Sequence, residues 1–378
     1  MTGSMIKVVA CKLLFILATI LVVMYTPAKA DDTLSVEQLI ERFDLREAET
    51  ATKDHPLYKQ PEKVVVWNRP IVVNALKKQF PDINFVTVDS VDAIAEEIID
   101  ADVFIGFCAA PLRTVETQLR YIQSMAVGVE GCAGSIILKD RGVLVSNVQK
   151  MSGPQIAEHA IAMMMSLVRG LDQFHNAQRE KNWDRRLMST GTGIWEIDGR
   201  TILIAGLGGI GKEVAQRANG LGMTVLATRN SSKTGPDYVD YVGLSDELNE
   251  LAKRADVVVN TVPLTEKTRG MFDKAFFDAM PAHSYYISVG RGATTDQDAL
   301  IEALQSGSIA GAGLDVTDPE PLPADSALWT IPRVIISPHI AARSDKYQQR
   351  VTTLVVANLQ RYLEGKPILN LVDLERGY

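Results

Sequence analysis

Three polar side chains in the last third of the chain have the types that acid–base chemistry on a carboxylate-bearing substrate requires. Arg291 lies in "SVGRG", Glu320 in "LDVTDPEPLP" and His339 in "SPHIA". Each motif follows a run typical of a buried strand, and parallel strands present their carboxyl ends at one ligand-binding edge. Arginine binds carboxylates, histidine transfers protons, and a carboxylate beside it favours the charged imidazole. Any one of these motifs alone would fit a surface or core role, but together they form a candidate catalytic set.

A glycine motif earlier in the chain predicts a dinucleotide-binding loop. The stretch "AGLGGIGKEVA" places G-x-G-x-x-G directly after a predicted strand and before a predicted helix. Gly206 permits a tight turn, Gly208 lets the backbone approach a pyrophosphate, and Gly211 lets helix and strand pack closely. The backbone N–H groups of Gly209 and Ile210 would face the anion at the helix N-terminus.

The residues after the next predicted strand bear on which dinucleotide binds. In this arrangement a carboxylate at the strand end accepts hydrogen bonds from the ribose of NAD and repels a 2′-phosphate. The chain has Arg229 there, followed by Asn230 and Ser231. A guanidinium can pair with a phosphate through two hydrogen bonds. The pattern therefore predicts NADP(H) as the preferred cofactor, with NAD(H) possible if Arg229 only faces solvent.

These residues require a particular set of elements to position them. Short β-branched runs separated by helix-length segments predict crossovers and parallel sheets. The first series of candidate strands is 64–68, 84–89, 103–107, 121–129 and 143–147. The second series is 201–206, 224–228, 257–262, 285–290, 311–316 and 334–339.

The expected fold class is α/β, with two doubly wound parallel-sheet domains and a cleft between them. Residues 31–148, completed by 342–378, are predicted to form a flavodoxin-like substrate domain. Residues 149–341 are predicted to form a Rossmann-type NAD(P)-binding domain with six parallel strands. The last predicted helix has an apolar face from Tyr347 to Leu363 and is expected to pack back on the first domain.

The first 30 residues have the pattern of a secretory signal. Lys7 and Lys12 precede the apolar run "LLFILATILVVMY", and "TPAKA" offers a small-residue cleavage site ending at Ala30. We therefore expect cleavage after Ala30 and a periplasmic or secreted product. An uncleaved membrane anchor is the alternative, as is a true start downstream of the segment.

Net charge and residue spacing indicate whether nucleic acid, metal or a disulfide is to be expected. The net charge is −7 and no dense Lys/Arg block is present, so a nucleic-acid partner is not expected. The chain has no H-x-x-x-H or C-x-x-C spacing, so no metal site is predicted. A disulfide between Cys108 and Cys132 is possible in an oxidising compartment, but two buried thiols are the favoured expectation.

Taken together, these motifs resemble the D-isomer-specific 2-hydroxyacid dehydrogenase family, near its glyoxylate/hydroxypyruvate reductases. The resemblance covers nearly all of the chain after residue 30. It is most specific in "GLGGIG", "NTVPLTEKTRGMF", "VGRGATTDQDALIEALQSG", "AGAGLDVTDPEPLP" and "SPHIA". It implies reduction of a small 2-keto acid to its D-2-hydroxy acid by NAD(P)H, and a homodimer.

The resemblance also implies a role for each matching residue. Arg291 would bind the substrate carboxylate and polarise the keto oxygen, while His339 would act as acid/base with Glu320 hydrogen-bonded to it. Further residues would bind the nicotinamide: Asp315 at the carboxamide, with Val262, Pro263 and Thr268 lining its side. The stretch "AVGVE" matches the family's carboxylate-binding loop, where Val127 and Gly128 would offer backbone N–H groups. Glu130 stands there in place of the commoner aspartate, a change expected to be harmless.

Two alternative functions are weighed against this one. A nucleotide-sensing, non-catalytic interaction protein can share the fold and keep the three catalytic residue types, but the export signal and negative net charge argue against it. Formate oxidation is disfavoured, because those relatives have glutamine where this chain has Glu320. The sequence does not identify the keto acid.

Overall fold

The structure, a computed structural model, describes residues 34–183, 185, 194–230 and 232–376. The predicted signal segment, residues 1–30, and Ser231 of the predicted cofactor site lie outside the described residues. No helix in the described ranges is both long and apolar enough to cross a membrane.

The first sheet has five parallel strands in the order β2-β1-β3-β4-β5. The strands are β1 Val64–Trp67, β2 Phe85–Val88, β3 Val103–Gly106, β4 Tyr121–Ser124 and β5 Leu144–Ser146. β3 and β4 are buried along their whole length, as expected for parallel strands covered on both faces. This order is the flavodoxin-like one, and we call the body around this sheet the first domain.

The second sheet has seven parallel strands in the order β12-β11-β10-β9-β6-β7-β8, and the body around it is called the second domain. The strands are β6 Thr201–Ala205, β7 Thr224–Arg229, β8 Tyr241–Leu244, β9 Val257–Asn260, β10 Tyr285–Ser288, β11 Gly311–Leu314 and β12 Val334–Ile336. The sequence predicted six strands and missed β8. That strand is a short edge strand whose first residue is exposed and whose third is glycine, so its apolar signal is weak.

Helices connect and cover the strands. Those of the first domain and the segment leaving it are α1 Val36–Phe43, α2 Pro70–Gln79, α3 Val91–Glu97, α4 Pro111–Thr114, α5 Glu130–Ala133, α6 Ile136–Arg141, α7 Gly153–Val168 and α8 Leu171–Arg179. The later helices are α9 Gly209–Gly220, α10 Leu248–Ala252, α11 Lys274–Ala279, α12 Gln297–Ser306 and α13 Tyr347–Leu363.

α13 packs against the first domain although it follows the second domain in the chain. Its residues Leu354, Val355 and Tyr362 are buried in one cluster with Leu39 of α1 and Val64 of β1. The ring of Tyr362 stacks on Tyr121, with 5.2 Å between ring centroids. The apolar face predicted from the sequence is thus buried in the first domain, together with the first sheet.

α7 leads from the first domain to the second. Met163 and Met164 are buried in the cluster that includes Ile204 of β6 and Val214 of α9, so these two methionines serve as packing surface. A Cβ at Gly153, the first residue of α7, would lie 3.2 Å from the carbonyl oxygen of Gly209. The start of α7 therefore lies directly against the glycine motif.

The favoured expectation for the cysteines is wrong, because Cys108 and Cys132 form a disulfide with Cα atoms 5.1 Å apart. The bridge joins the segment after β3 to α5. A Cβ at Gly131 would lie 1.8 Å from the carbonyl oxygen of Cys108, so only glycine allows the two segments to meet. The sequence separation of 24 residues did not reveal this contact, which depends on how the two segments pack.

Candidate active site

The structure brings His339 and Glu320 into direct contact after β12 and β11. His339 Nδ1 lies 2.8 Å from Glu320 Oε2, while Glu320 Oε1 accepts the backbone N–H of Thr317 at 3.1 Å. The side chains of His339 and Glu320 are 45% and 39% exposed, so both can be reached from solvent. Because Nδ1 is held by the carboxylate, Nε2 is the ring nitrogen left for proton exchange with a substrate.

The backbone at His339 has a φ of +52°, in the left-handed region that costs a residue with a Cβ about 1 kcal/mol or more. Its N–H donates to the carbonyl oxygens of Asp315, at 2.8 Å, and Ser337, at 3.0 Å. These hydrogen bonds hold the histidine at a tight turn, which fixes the direction of the ring.

The carboxylate of Asp315 accepts hydrogen bonds from the same turn. Its side chain is buried, Oδ1 accepts from Ser337 Oγ at 2.6 Å and from the N–H of Ile340 at 3.0 Å, and Oδ2 accepts from the N–H of Ala341 at 3.0 Å. The resemblance places this carboxylate at the nicotinamide carboxamide. In the structure both carboxylate oxygens are bonded within the turn that carries His339.

His159 and Ser337 are members of the site that sequence reasoning did not assign. His159 Nε2 on α7 lies 2.8 Å from Ser337 Oγ and 3.7 Å from Asp315 Oδ1. No spacing rule connects α7 with a turn almost 180 residues later, so the contact was not readable from the sequence.

Arg291 meets the predicted carboxylate-binding loop of the first domain. Its Nε donates to Glu130 Oε1 at 2.8 Å, and its Nη1 donates to the carbonyl oxygen of Gly290 at 2.9 Å. A Cβ at Gly128 would lie 2.4 Å from Arg291 Nη2. The Val127 carbonyl is held by Asn147 Nδ2 at 2.8 Å. Glu130 is therefore the ion-pair partner of the arginine, a role beyond the harmless substitution expected from the sequence.

The three motif glycines have the geometries that a pyrophosphate-binding loop needs. Gly206 has a φ of +96°, and a Cβ at Gly211 would lie 2.1 Å from the carbonyl oxygen of Gly206. A Cβ at Gly208 would meet no atom within 4 Å, so the backbone there is open to a ligand. Gly209 and Ile210 begin α9, a helix of 12 residues whose first N–H groups lack helical partners. These residues fit a dinucleotide pyrophosphate.

Val262, Pro263 and Thr268 lie together after β9. The N–H of Val262 donates to the side-chain oxygen of the buried Asn260 at 3.1 Å. Thr268 Oγ1 donates to the carbonyl oxygen of Pro263 at 2.6 Å and accepts the N–H of Thr265 at 2.8 Å. The threonine hydroxyl therefore closes the turn. A Cβ at Gly206 would lie 3.2 Å from Val262 Cγ1, so Val262 lies beside the glycine motif.

Arg229 is the last residue of β7, and its Nη1 donates to the carbonyl oxygen of Thr234 at 2.8 Å. The exposed Asn230 follows it. Lys233, a second cation of the segment, is bound to Glu247 Oε1 at 2.8 Å. Hydrogen bonds from Lys233 and then Tyr241 lower the pKa of Glu247 to about 2. Arg229 is thus the cation of this segment that faces the cleft without a carboxylate partner among the described residues.

A cleft of about 230 Å³ runs past the glycine motif. On one side it is lined by Gly208, Gly209 and Arg229, and on the other by Arg46 and Lys150. A larger cavity of about 600 Å³, lined by residues 48–52, 54–56, Leu144, Ile368 and Leu371, contains none of the predicted site residues. We therefore place the candidate cofactor site in the smaller cleft, where the glycine geometry is.

Comparison with known proteins agrees with this fold and motif geometry. Residues 161–341 match the family model described as D-isomer specific 2-hydroxyacid dehydrogenase, NAD binding domain. The chain is 33% identical over 293 residues to a glyoxylate reductase of Korarchaeum cryptofilum, an alignment that covers 76% of this chain and 83% of that enzyme. It is 30% identical over 311 residues to a D-3-phosphoglycerate dehydrogenase of Methanocaldococcus jannaschii, with 81% of this chain and 58% of that enzyme covered. This chain therefore spans little more than half the length of the second relative.

Among solved structures, the chain is similar to the NADPH-dependent glyoxylate/hydroxypyruvate reductase from Sinorhizobium meliloti in complex with NADP and sulfate. The TM-score is 0.72 at 25% identity, and the match covers 84% of this chain and all of that one. The chain belongs to the D-isomer-specific 2-hydroxyacid dehydrogenase family, a class of nicotinamide-dependent oxidoreductases. Within that family it is similar to glyoxylate reductases.

Proposed function

We propose that the protein reduces a small 2-keto acid of the glyoxylate/hydroxypyruvate kind to its D-2-hydroxy acid, using NADPH in preference to NADH. The observation that carries this proposal is the His339–Glu320 hydrogen bond of 2.8 Å at the edge that also holds Arg291. When bound, the nicotinamide supplies the hydride for the keto carbon. The chain's own residues bind and orient the acid and supply the proton.

Arg291 is proposed to bind the substrate carboxylate and stabilise the negative charge that develops on the keto oxygen. Its Nε is held by Glu130 and its Nη1 by a carbonyl oxygen, so the guanidinium is oriented before substrate arrives. The backbone N–H groups of Val127 and Gly128 are proposed to bind the same carboxylate. Their support is the close approach of Arg291 to this loop, since Nη2 lies 2.4 Å from where a Cβ at Gly128 would stand.

His339 is proposed to give its Nε2 proton to the keto oxygen during reduction and to take it back in the reverse direction. Glu320 accepts a hydrogen bond from Nδ1, which fixes the orientation of the ring and leaves Nε2 for the substrate. Since Glu320 is itself held by the N–H of Thr317, the pair is set before the substrate binds. Asp315 and Ser337 are proposed to position this turn, with Val262, Pro263 and Thr268 beside the nicotinamide.

The preference for NADP(H) rests on Arg229. It ends β7, the strand next to the glycine motif, and a guanidinium there attracts a 2′-phosphate. Asn230 and Ser231 are proposed to complete the pocket. The similar reductase from Sinorhizobium meliloti was solved with NADP. NAD(H) remains the competing cofactor, and the ratio of the two activities decides between them.

Residues 31–148 with 342–378 are proposed as the substrate domain and residues 149–341 as the cofactor domain. The burial of α13 in the cluster that holds Val64 supports the return of the chain to the first domain. A homodimer is proposed from family membership.

The direct test is a substrate screen with purified protein. Glyoxylate, hydroxypyruvate, pyruvate and phenylpyruvate are each assayed with NADPH and with NADH, following nucleotide oxidation. We expect the highest kcat/KM for glyoxylate or hydroxypyruvate with NADPH. No turnover of any of the four acids with either cofactor would contradict the proposal and favour a nucleotide-sensing protein.

We further propose that the chain is exported and cleaved after Ala30, on the signal pattern of residues 1–30. The test is cell fractionation followed by N-terminal sequencing of the purified chain. We expect a mature N-terminus at Asp31 in the periplasmic or secreted fraction. A soluble cytoplasmic protein that retains Lys12 would overturn this proposal, and a membrane-bound chain that retains it would identify an uncleaved anchor.

A further inference from the structure

The wall of the cleft opposite the glycine motif comes from the first domain and from the segment that leaves it. Arg46 follows α1, and its backbone is fixed there: its N–H donates to Asn370 Oδ1 at 3.3 Å, and its carbonyl oxygen accepts the N–H of Asn370 at 2.7 Å. Its side chain is exposed and lines the cleft. Arg46 is therefore held at a defined position across from Gly208 and Gly209.

Lys150, in the segment before α7, lies across the glycine motif itself. A Cβ at Gly209 would be 3.0 Å from Lys150 Cγ, so the aliphatic part of the lysine covers the first turn of α9. Lys150 Nζ bonds Asp44 Oδ2 at 2.7 Å and also the backbone carbonyl of Asp44. The lysine hydrogen bond is the largest cause that lowers the pKa of Asp44, and the charges of Lys212 and Arg46 contribute.

Positive charge exceeds negative charge along this cleft. The cations on its walls are Arg42, Arg46, Lys150, Lys212 and Arg229, and the acids are Asp44 and Glu213. Glu213 is already paired with Arg217 at the second turn of α9. In the described part of the chain, Arg46 and Lys212 have no side-chain hydrogen bond and no ion pair. An anion in the cleft would therefore bind charges that the protein itself does not neutralise.

We propose that the phosphates of the dinucleotide are bound from both walls of the cleft, by Arg46 and Lys150 as well as by the glycine motif and Arg229. Asp44 is the internal substitute for phosphate: it holds Lys150 when no dinucleotide is bound and releases it when one is. The inference rests on the proposed function only for the identity of the ligand. Its consequence is that cofactor binding joins the first domain to the second.

The test measures the dissociation constant of NADPH directly, by nucleotide fluorescence without any keto acid, so no turnover is involved. Arg46→Gln and Lys150→Gln are each expected to weaken NADPH binding about tenfold, the lower end of the range for a charged hydrogen bond. Lys78→Gln on α2, an exposed lysine outside the cleft, is the matched control and should leave the constant unchanged.

Asp44→Asn is expected to change the dissociation constant of NADPH in the opposite direction. Asparagine tolerates the left-handed backbone at this position, where φ is +48°, and it frees Lys150 of its carboxylate. We expect NADPH to bind severalfold more tightly to this variant, a change that damaged folding cannot produce. Repeating the titrations with NADH locates the contact: equal losses for both cofactors indicate the pyrophosphate, and a loss confined to NADPH indicates the 2′-phosphate.

The two proposals fail in different ways. If wild-type protein binds neither NADPH nor NADH, the proposed function is wrong. If wild type binds NADPH and both Arg46→Gln and Lys150→Gln bind it equally well, the two-walled site is wrong while the function stands. Weaker binding by Asp44→Asn would likewise overturn the role of Asp44 as a substitute for phosphate.

Discussion

The two ends of the candidate active-site region differ in how their charged groups are satisfied. At the proposed catalytic end, Arg291 is bonded to Glu130, and His339 is bonded to Glu320. The other end is the one proposed for the phosphates of the adenosine half of the cofactor, and we call it the adenosine end. Among the described residues, Arg229 there is bonded only to a backbone carbonyl, and Arg46 has no side-chain partner.

The proposed functions of the two ends account for this difference. A group that stabilises a transition state must be oriented before the reaction, so its position is fixed by protein partners. A group that binds a phosphate gains most if the phosphate is the first strong partner it meets, since no internal bond then has to be broken. The proposed catalytic end is therefore arranged in advance, whereas Arg229 and Arg46 are left for the ligand to pair. Lys150 is the exception at the adenosine end, because Asp44 already holds it.

The largest expected effect tests the catalytic end. His339→Ala removes the proposed acid/base and should lower kcat/KM for the keto acid about 10²- to 10⁴-fold. His175→Ala on α8, an exposed histidine outside the site, is the matched control. Steady-state kinetics with saturating NADPH give the comparison. Turnover of His339→Ala near that of wild type would remove the histidine from the mechanism.

Arg291→Lys keeps the positive charge but loses the planar pair of N–H donors that can bind a carboxylate through two hydrogen bonds. We expect kcat/KM to fall about 10²- to 10³-fold, with NADPH affinity unchanged. Keto-acid kinetics and NADPH titration on the same preparation separate the two quantities. An unchanged kcat/KM, or an equal loss of cofactor affinity, would place the arginine outside the substrate site.

Removal of the disulfide between Cys108 and Cys132 tests whether a covalent bond helps to arrange the proposed catalytic end. The bridge closes a chain segment that includes Val127, Gly128 and Glu130 of the predicted carboxylate-binding loop. The double variant Cys108→Ser/Cys132→Ser should lose about 3.5 kcal/mol of unfolding free energy, as the chain-entropy estimate gives for this loop length. We also expect a higher KM for the keto acid. Urea unfolding of both proteins, with and without reductant, checks the first value. Equal stability would show that the bridge is dispensable.

The smallest expected effect concerns cofactor choice at the adenosine end. Arg229→Asp replaces the proposed phosphate partner by a carboxylate, which repels a 2′-phosphate and accepts ribose hydroxyls. NADPH affinity should fall about 10- to 150-fold and the preference should reverse toward NADH. The ratio of kcat/KM for NADPH to that for NADH measures this. Equal values for the two cofactors in wild type would contradict the assignment of Arg229.

Much of the fold was readable because its signals are local. Buried strands carry continuous β-branched runs, so all five strands of the first sheet and six of the seven in the second were predicted. The strand β8 was missed because an edge strand buries too little apolar surface to mark its sequence. The glycine motif was equally local, since a tight turn, an open backbone and a close helix each require the absence of a Cβ.

By itself the sequence determined the residue types at each strand end, and with them the chemistry available: a guanidinium, an imidazole, a carboxylate and a phosphate-binding loop. Only the tertiary structure decided which of them meet. The contacts of Arg291 with Glu130, of His159 with Ser337, and of Cys108 with Cys132 join segments that pack together through their backbones and cores. Such contacts leave no periodicity in the chain, because their energy depends on distance in space and their spacing in sequence is unconstrained.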